Sequence, residues 1–240
     1  MQKRNLFILM TVGILVLIGI VFFVFTRYGN NTSQNADQSS VPNPTVLPSG
    51  EEDSEQNIQS VATKIENIAE SPVSQQAIKE GAESIDFKNA QGNKILLTDF
   101  EKATKISIIG QLRKYLDSKD YDMYYCPAGS DKKDYAVYFG YDVGKGYGDL
   151  YSGTVAWMKD WEKTMLPDLH AVLFPNVNFS QSELSQQLQF KDGNYRYAEV
   201  RFPDGKIGSI NYSISGNGVI ISASPSCLDK LVDIYDPLEP

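Results

Sequence analysis

The first apolar segment constrains this chain more than any other feature of its sequence. From Leu6 to Phe25 there is no charged residue, and Leu, Ile, Val, Phe and Met make up nearly all of the run. A helix of about 20 residues rises about 30 Å, which matches the hydrocarbon core of a bilayer. The run therefore predicts a transmembrane helix, with residues 6–26 in contact with the lipid bilayer.

The residues that follow this segment favour a retained anchor over a cleaved signal peptide. A secretory signal has a shorter apolar region, and small residues mark its cleavage site. Here the apolar run is longer and ends in VFFVFTRYGN, where bulky residues stand in place of small ones. We therefore expect an uncleaved signal anchor.

The charges beside the segment predict its orientation. Lys3 and Arg4 precede the span, whereas only Arg27 follows it closely. Positively charged flanks tend to stay on the cytoplasmic side of a membrane. The expected location is thus the cell membrane, single-pass, with a cytoplasmic N-terminus and residues 28–240 extracytoplasmic.

Composition divides the chain into three regions. Residues 1–27 form the cytoplasmic tip and anchor, residues 28–84 an acidic low-complexity stalk, and residues 85–240 an extracytoplasmic domain. Residues 28–89 carry 3 Lys or Arg against 10 Asp or Glu, within a formal net charge of −8 for the whole chain. Few apolar residues and many like charges predict a disordered, extended stalk. Neither the stalk nor the domain has the basic face that nucleic-acid binding requires.

One short stripe interrupts the stalk. Ile58, Val61, Ile65 and Ile68 recur at helical spacing before Pro72. A partner helix or short coiled coil is one interpretation, but the stripe is shorter than the heptad runs that indicate a coiled coil. We favour a short helix that docks on its own domain or frays.

From about residue 85 the pattern changes to aromatic and β-branched runs that alternate with helical ones. Five runs are typical of strands: YDMYYC, DYAVYFGY, YRYAEVRF, KIGSINYSIS and GVIISAS. The last three are linked by PDG and GNG, which favour tight turns. The prediction is an α+β domain in which an antiparallel sheet of about five strands packs with helices on one face.

Three segments of this domain have helical spacing. ISIIGQLRKYLDS predicts one helix, and LYSGTVAWMKDWEKTMLPDLHAVLF predicts a longer one that Pro167 kinks or divides. SPSCLDKLVDIY predicts a closing helix, in which Ser224 and Pro225 suit the N-cap and first position.

A glycine-rich loop follows the second predicted strand, in YFGYDVGKGYGDLYSG. Its glycines match neither the P-loop nor the dinucleotide fingerprint in spacing, so we expect no nucleotide here. Several tyrosines surround it, and tyrosine is enriched at contact surfaces. The candidate binding residues are Tyr138, Tyr141, Asp142, Lys145, Tyr147, Asp149 and Tyr151. The expected partner is another envelope protein or a saccharide.

The remaining reactive residues do not form a catalytic motif. Cys126 and Cys227 are either bridged, as is common outside the cytoplasm, or two buried thiols. His170 is the single histidine, so a histidine-rich metal site is excluded, and no cofactor is expected. The sequence thus favours a non-catalytic binding or assembly domain of the cell envelope. The alternative is an envelope hydrolase that uses Cys227 or carboxylates, with the 144–148 glycine loop as a lid.

Overall fold

The computed structural model describes residues 50–129, 131–145 and 150–236. The predicted transmembrane segment and the stalk before residue 50 lie outside the described residues. No helix among the residues that are described is long and apolar enough to cross a bilayer. All described elements belong to one compact unit, Pro48–Pro240.

Helices and strands are interspersed along the described chain, with several of each kind in succession. The helices are α1 (Gly50–Glu70), α2 (Gln75–Glu80), α3 (Leu97–Thr104), α4 (Gly110–Arg113), α5 (Leu150–Trp161), α6 (Met165–Leu173), α7 (Gln181–Leu184) and α8 (Pro225–Tyr235). The strands are β1 (Glu83–Ile85), β2 (Leu116–Pro127), β3 (Lys133–Tyr141), β4 (Arg196–Arg201), β5 (Ile207–Ile214) and β6 (Gly218–Ser222).

The six strands form one antiparallel sheet in the order β1-β2-β3-β6-β5-β4. The α+β class and the antiparallel sheet are therefore confirmed, and β2 to β6 are the five strands that the sequence predicted. The additional strand, β1, has three residues and pairs with β2 from Glu83 opposite Tyr125 to Ile85 opposite Met123. Such a short run contains no alternation that a sequence pattern could reveal.

The prediction that helices cover one face of the sheet is wrong. A main core lies between one face and the helices α1, α3, α5 and α6, and it includes Val137 and Phe139 of β3. A second core lies on the other face, where Ala136 and Tyr138 pack with Leu231 of α8. Neighbouring residues of a strand point to opposite faces, so a strand that is apolar at every position needs a cover on both sides.

The segment before residue 85 belongs in part to the folded unit. Val61 and Ile65 of α1 are buried in the main core, and Ile68 packs against it. The predicted boundary between residues 84 and 85 lies inside β1. The stripe of α1 packs into the main core chiefly against α3, which buries the apolar face of this amphipathic helix.

Two predicted helices differ from the observed ones. ISIIGQLRKYLDS contains only the four-residue α4, and β2 already begins at Leu116, which pairs with Tyr141. Leu112 at the end of α4 and Leu116 at the start of β2 are both buried. Their spacing of four residues therefore resembles one face of a helix, although a helix and a strand contribute one residue each. The longer predicted helix is divided into α5 and α6, and Pro167 lies in the first turn of α6, where its missing N–H is tolerated.

Candidate functional site

Two of the three described tyrosines that the sequence proposed as binding residues are buried. Tyr138 is 2% exposed in the second core, and Tyr141 is 4% exposed in the main core. The two side chains therefore lie on opposite faces of β3. The Tyr141 hydroxyl forms a hydrogen bond with Thr154 Oγ1 (3.3 Å). Strand propensity and core packing account for these two residues, and they do not form a shared contact surface.

The glycine loop has its own local order as far as it is described. The Asp142 carboxylate accepts the Gly144 N–H (3.0 Å) and pairs with Lys145 (3.2 Å), and the hydrogen bond from Lys145 holds the pKa of Asp142 below its ordinary value. Tyr151 is 63% exposed. Tyr147 and Asp149 lie outside the described residues. The structure thus brings Asp142 and Lys145 together as an ion pair within the loop.

Cys126 and Cys227 form a disulfide, with their Cα atoms 5.6 Å apart. It joins β2 to the first turn of α8 inside the second core, where both residues are buried. Cys227 has no free thiol and cannot act as a nucleophile, so the hydrolase hypothesis loses this residue. His170 is also used locally, because its Nδ1 lies 2.9 Å from the Pro167 carbonyl oxygen within α6.

Tyrosines and aspartates form a network between α8 and the sheet. The Tyr235 hydroxyl donates to Asp122 (2.8 Å) and is 2.8 Å from the Tyr124 hydroxyl, and its ring stacks on Tyr138 at 3.6 Å. Burial raises the pKa of Tyr235 and of Tyr138. These hydrogen bonds satisfy the polar groups that α8 buries on the sheet, so the network has a structural explanation.

Asp120 lies beside this network, on the same face of β2. Partial burial raises the pKa of its carboxyl group, and the neighbouring charges of Asp122 and Asp117 raise it further. The carboxylate rests against Gly140, because a Cβ at that glycine would overlap it. Both Asp120 and Asp122 belong to β2.

A groove of about 490 Å³ opens at the opposite end of β3. A volume in this range suits a ligand or a few residues of peptide. Four elements or their ends form it: the start of β3, the end of α6, the β4–β5 hairpin and the end of β6. The lining residues are Lys132, Lys133, Asp134, Tyr135, Leu173, Phe174, Pro175, Asn176, Val177, Phe202, Lys206, Ile207, Gly208, Ser209, Ala223 and Ser224.

The early end of β6 creates this groove. Its last residue, Ser222, is opposite Ala136 of β3 and Asn211 of β5. β3 begins at Lys133, three residues before Ala136, and β5 begins at Ile207, four residues before Asn211. Beyond Ser222 the chain turns into α8, on the other face of the sheet. Both neighbours of β6 therefore extend past its end.

One wall of the groove is aromatic. Phe174 and Phe202 lie edge to face at 5.2 Å, and Phe179 contacts both, at 6.0 and 5.9 Å. Phe202 is only partly buried, and the neighbouring Ile207 is 60% exposed. Edge-to-face packing fixes these rings in place, so the apolar wall is formed before any ligand arrives.

The groove is also basic. Three lysines and one aspartate line the groove, although acidic residues outnumber basic ones in the chain. Lys132 is exposed and forms no ion pair within the described part of the chain. Lys133 donates to the Ile68 carbonyl at the end of α1 and to Ser71 Oγ (3.0 Å), and burial lowers the pKa of its ammonium group.

One lining residue of the groove, Tyr135, has a hydroxyl that is buried away from the groove's open space. This hydroxyl has no hydrogen-bond partner among the described residues, and burial raises the pKa of the tyrosine to about 12. A buried hydroxyl without a hydrogen bond costs about 1–3 kcal/mol of folding free energy.

Sequence reasoning missed this groove. Its residues come from segments as distant as Lys132 and Ser224, and only strand pairing brings them together. Two signals were present: the run GVIIS is shorter than its neighbours, and Lys132 and Lys133 are adjacent at a strand end. Neither has a meaning until the register of the sheet is known.

The described residues contain no group of three or more His, Cys, Asp or Glu side chains that could hold a metal ion. Comparison with known proteins found no matching family model, no matching curated protein and no matching solved structure.

Proposed function

We propose that this chain is a membrane-anchored, extracytoplasmic binding or assembly domain of the cell envelope that does not catalyse a reaction. The observation that carries the proposal is the disulfide between Cys126 and Cys227. Disulfides persist in oxidising compartments, whereas cytoplasmic reductants keep most thiols reduced. This agrees with the orientation expected from Lys3 and Arg4, which are independent of the disulfide.

The groove supports binding as the activity of the domain. It combines an aromatic wall with three lysines, and such convergence of apolar and polar groups is typical of ligand sites. None of the groups that line it forms a nucleophile and base pair. The single histidine is bonded within α6, and both cysteines are bridged.

Orientation is tested by adding a cysteine to the full chain in intact cells. Ser40→Cys places a thiol in the predicted stalk, and Gln2→Cys places one before the predicted span. We expect a membrane-impermeant maleimide to label Ser40→Cys in intact cells and Gln2→Cys only after lysis. The reverse pattern would refute the proposed topology.

The redox state gives a second, independent test. Free thiols are trapped by alkylation before the cells are opened, and the mass of the chain then reports whether Cys126 and Cys227 were bridged. A bridge in nearly all molecules is expected. Two alkylated cysteines in freshly trapped cells would remove the main support for an extracytoplasmic domain.

A further inference from the structure

We infer that the groove binds an extended segment of an acidic partner protein, which enters as a short strand between β3 and β5. This inference rests on the proposed function, because it names the partner class of the same groove. It follows from three features of the groove: unpaired strand edges, apolar walls and lysines.

The first feature is the direction of the backbone groups. Ser215 of the β5 end donates its N–H to Gly218, so the odd-numbered residues of β5 point their N–H and C=O groups toward β6. By the same alternation, the backbone N–H and C=O groups of Ile207 and Ser209 point into the space that β6 would occupy if it continued past Ser222. The even-numbered residue between them directs its backbone groups toward β4.

The edge of β3 on the other side of the groove also has unpaired backbone groups. The last backbone hydrogen bond between β3 and the β6 segment runs from the Ala223 N–H to the Tyr135 C=O (2.8 Å). Lys133 is two residues from Tyr135, so its backbone groups point the same way. Two neighbouring strands stand about 4.8 Å apart, so the gap left by the absent strand is about 9.6 Å wide. One extended peptide fits such a gap.

The side chains of the groove suit alternate residues of such a peptide. In a strand, residues point alternately to the two faces of the sheet. One set would meet the aromatic wall that contains Phe174 and Phe202, on the face of the main core. Strand addition of this kind obtains affinity from backbone hydrogen bonds and selectivity from side-chain pockets.

Charge decides the chemistry of the partner. Lys132, Lys133 and Lys206 line the groove against one acidic residue, Asp134. Lys206 is paired with Asp204 at its own turn, whereas Lys132 has no ion pair among the described residues. Complementary charge steers association and selects between partners, so acidic segments are preferred over basic ones.

The test uses the full chain in detergent micelles and a short fluorescent peptide that alternates glutamate and valine. Fluorescence anisotropy measures affinity, and hydrogen–deuterium exchange measures protection of the backbone. We expect binding, with slower exchange in residues 131–136 and 206–210. A peptide with lysine in place of glutamate should bind about tenfold more weakly. N-methylation of alternate peptide nitrogens should abolish binding.

Two matched variants locate the site. Lys132→Glu reverses a charge on the groove and should weaken binding about fivefold, as expected for an exposed ion pair replaced by repulsion. Lys159→Glu makes the same change on the exposed side of α5, away from the groove, and should leave affinity unchanged. Equal affinities of the two variants would overturn the assignment of the groove.

Other outcomes separate this inference from the proposed function. If polygalacturonate binds in a Lys132-dependent manner and the peptides do not, the occupant is a saccharide, and the inference fails while a binding domain remains. A dimer that Lys132→Glu dissociates would make a second copy the occupant and would also overturn it. If no probe binds, the peptide inference fails, and the maleimide assay decides the topology independently.

Discussion

Removal of the disulfide is expected to lower the stability of the folded unit by several kcal/mol. The bridge links residues 101 positions apart, and closure of a loop that long removes about 4.7 kcal/mol of conformational freedom from the unfolded chain. Cys126→Ala with Cys227→Ala also removes two buried sulfur atoms from the second core. The free energy of unfolding of the double variant should therefore fall by at least about 4 kcal/mol.

Urea unfolding of residues 48–240 measures this loss, because that segment contains every described element. Trp161 is fully buried and supplies the fluorescence signal. The slope of the free energy against urea should also increase, since an unfolded chain without the cross-link exposes more surface. Wild-type protein reduced with a phosphine is the control and should match the variant within about 1 kcal/mol. A loss below about 2 kcal/mol would refute the loop-closure argument.

Three smaller changes are measured by the same titration. Leu231→Ala, at a fully buried position of α8, should lower the free energy of unfolding by about 2–5 kcal/mol. Ile234→Ala, at a half-exposed position of the same helix, should change it by no more than about 0.5 kcal/mol. Equal losses in the two variants would contradict the packing of α8 in the second core. Gly218→Ala should cost about 1–3 kcal/mol because its Cβ would overlap a backbone carbonyl of β3, and Gly110→Ala, which has open space, should be neutral or stabilising. Asp120→Asn tests how stability depends on pH. The pKa of the Asp120 carboxyl is raised in the folded protein. Its contribution to stability is therefore present below the pKa that this group has in the unfolded chain, and it is lost as the pH rises through the pKa in the folded protein. The variant should therefore be more stable than wild type at about pH 7, and this advantage should vanish near pH 3; an advantage that is the same at both pH values would exclude titration of Asp120 as its cause.

Local signals account for what the sequence predicted well. The turn at Asp204 and the turn at Asn217 lie between strands that the structure pairs directly. The N-cap expected at Ser224 is present, since its side chain accepts the Cys227 N–H (3.3 Å). Each of these features depends on residues within a few positions of one another, and sequence patterns report such interactions directly.

Features that depend on distant residues were missed. The second core could not be inferred from α8 alone, because its partners Tyr124 and Tyr138 lie about a hundred residues earlier. Tyr138 and Tyr141 of β3 were proposed as binding residues, although the strand is covered on both faces. Tyrosine occurs both at solvent-exposed contact surfaces and in buried strands where its hydroxyl is hydrogen-bonded. Only the tertiary structure distinguishes these two environments.

The position of α1 connects the proposed anchor with the groove. Near its start, Ser54 donates to the Asp99 carboxylate (2.8 Å), and at its end the Ile68 carbonyl accepts from Lys133, which lines the groove. A helix of 21 residues is about 30 Å long, so the chain enters the folded unit roughly that far from the groove. Under the proposed anchoring, the stalk joins one end of α1 and the binding groove lies at the other. A shorter stalk should therefore leave the affinity of the groove in micelles unchanged. Loss of affinity in micelles on shortening the stalk would instead show that the stalk contributes to the groove.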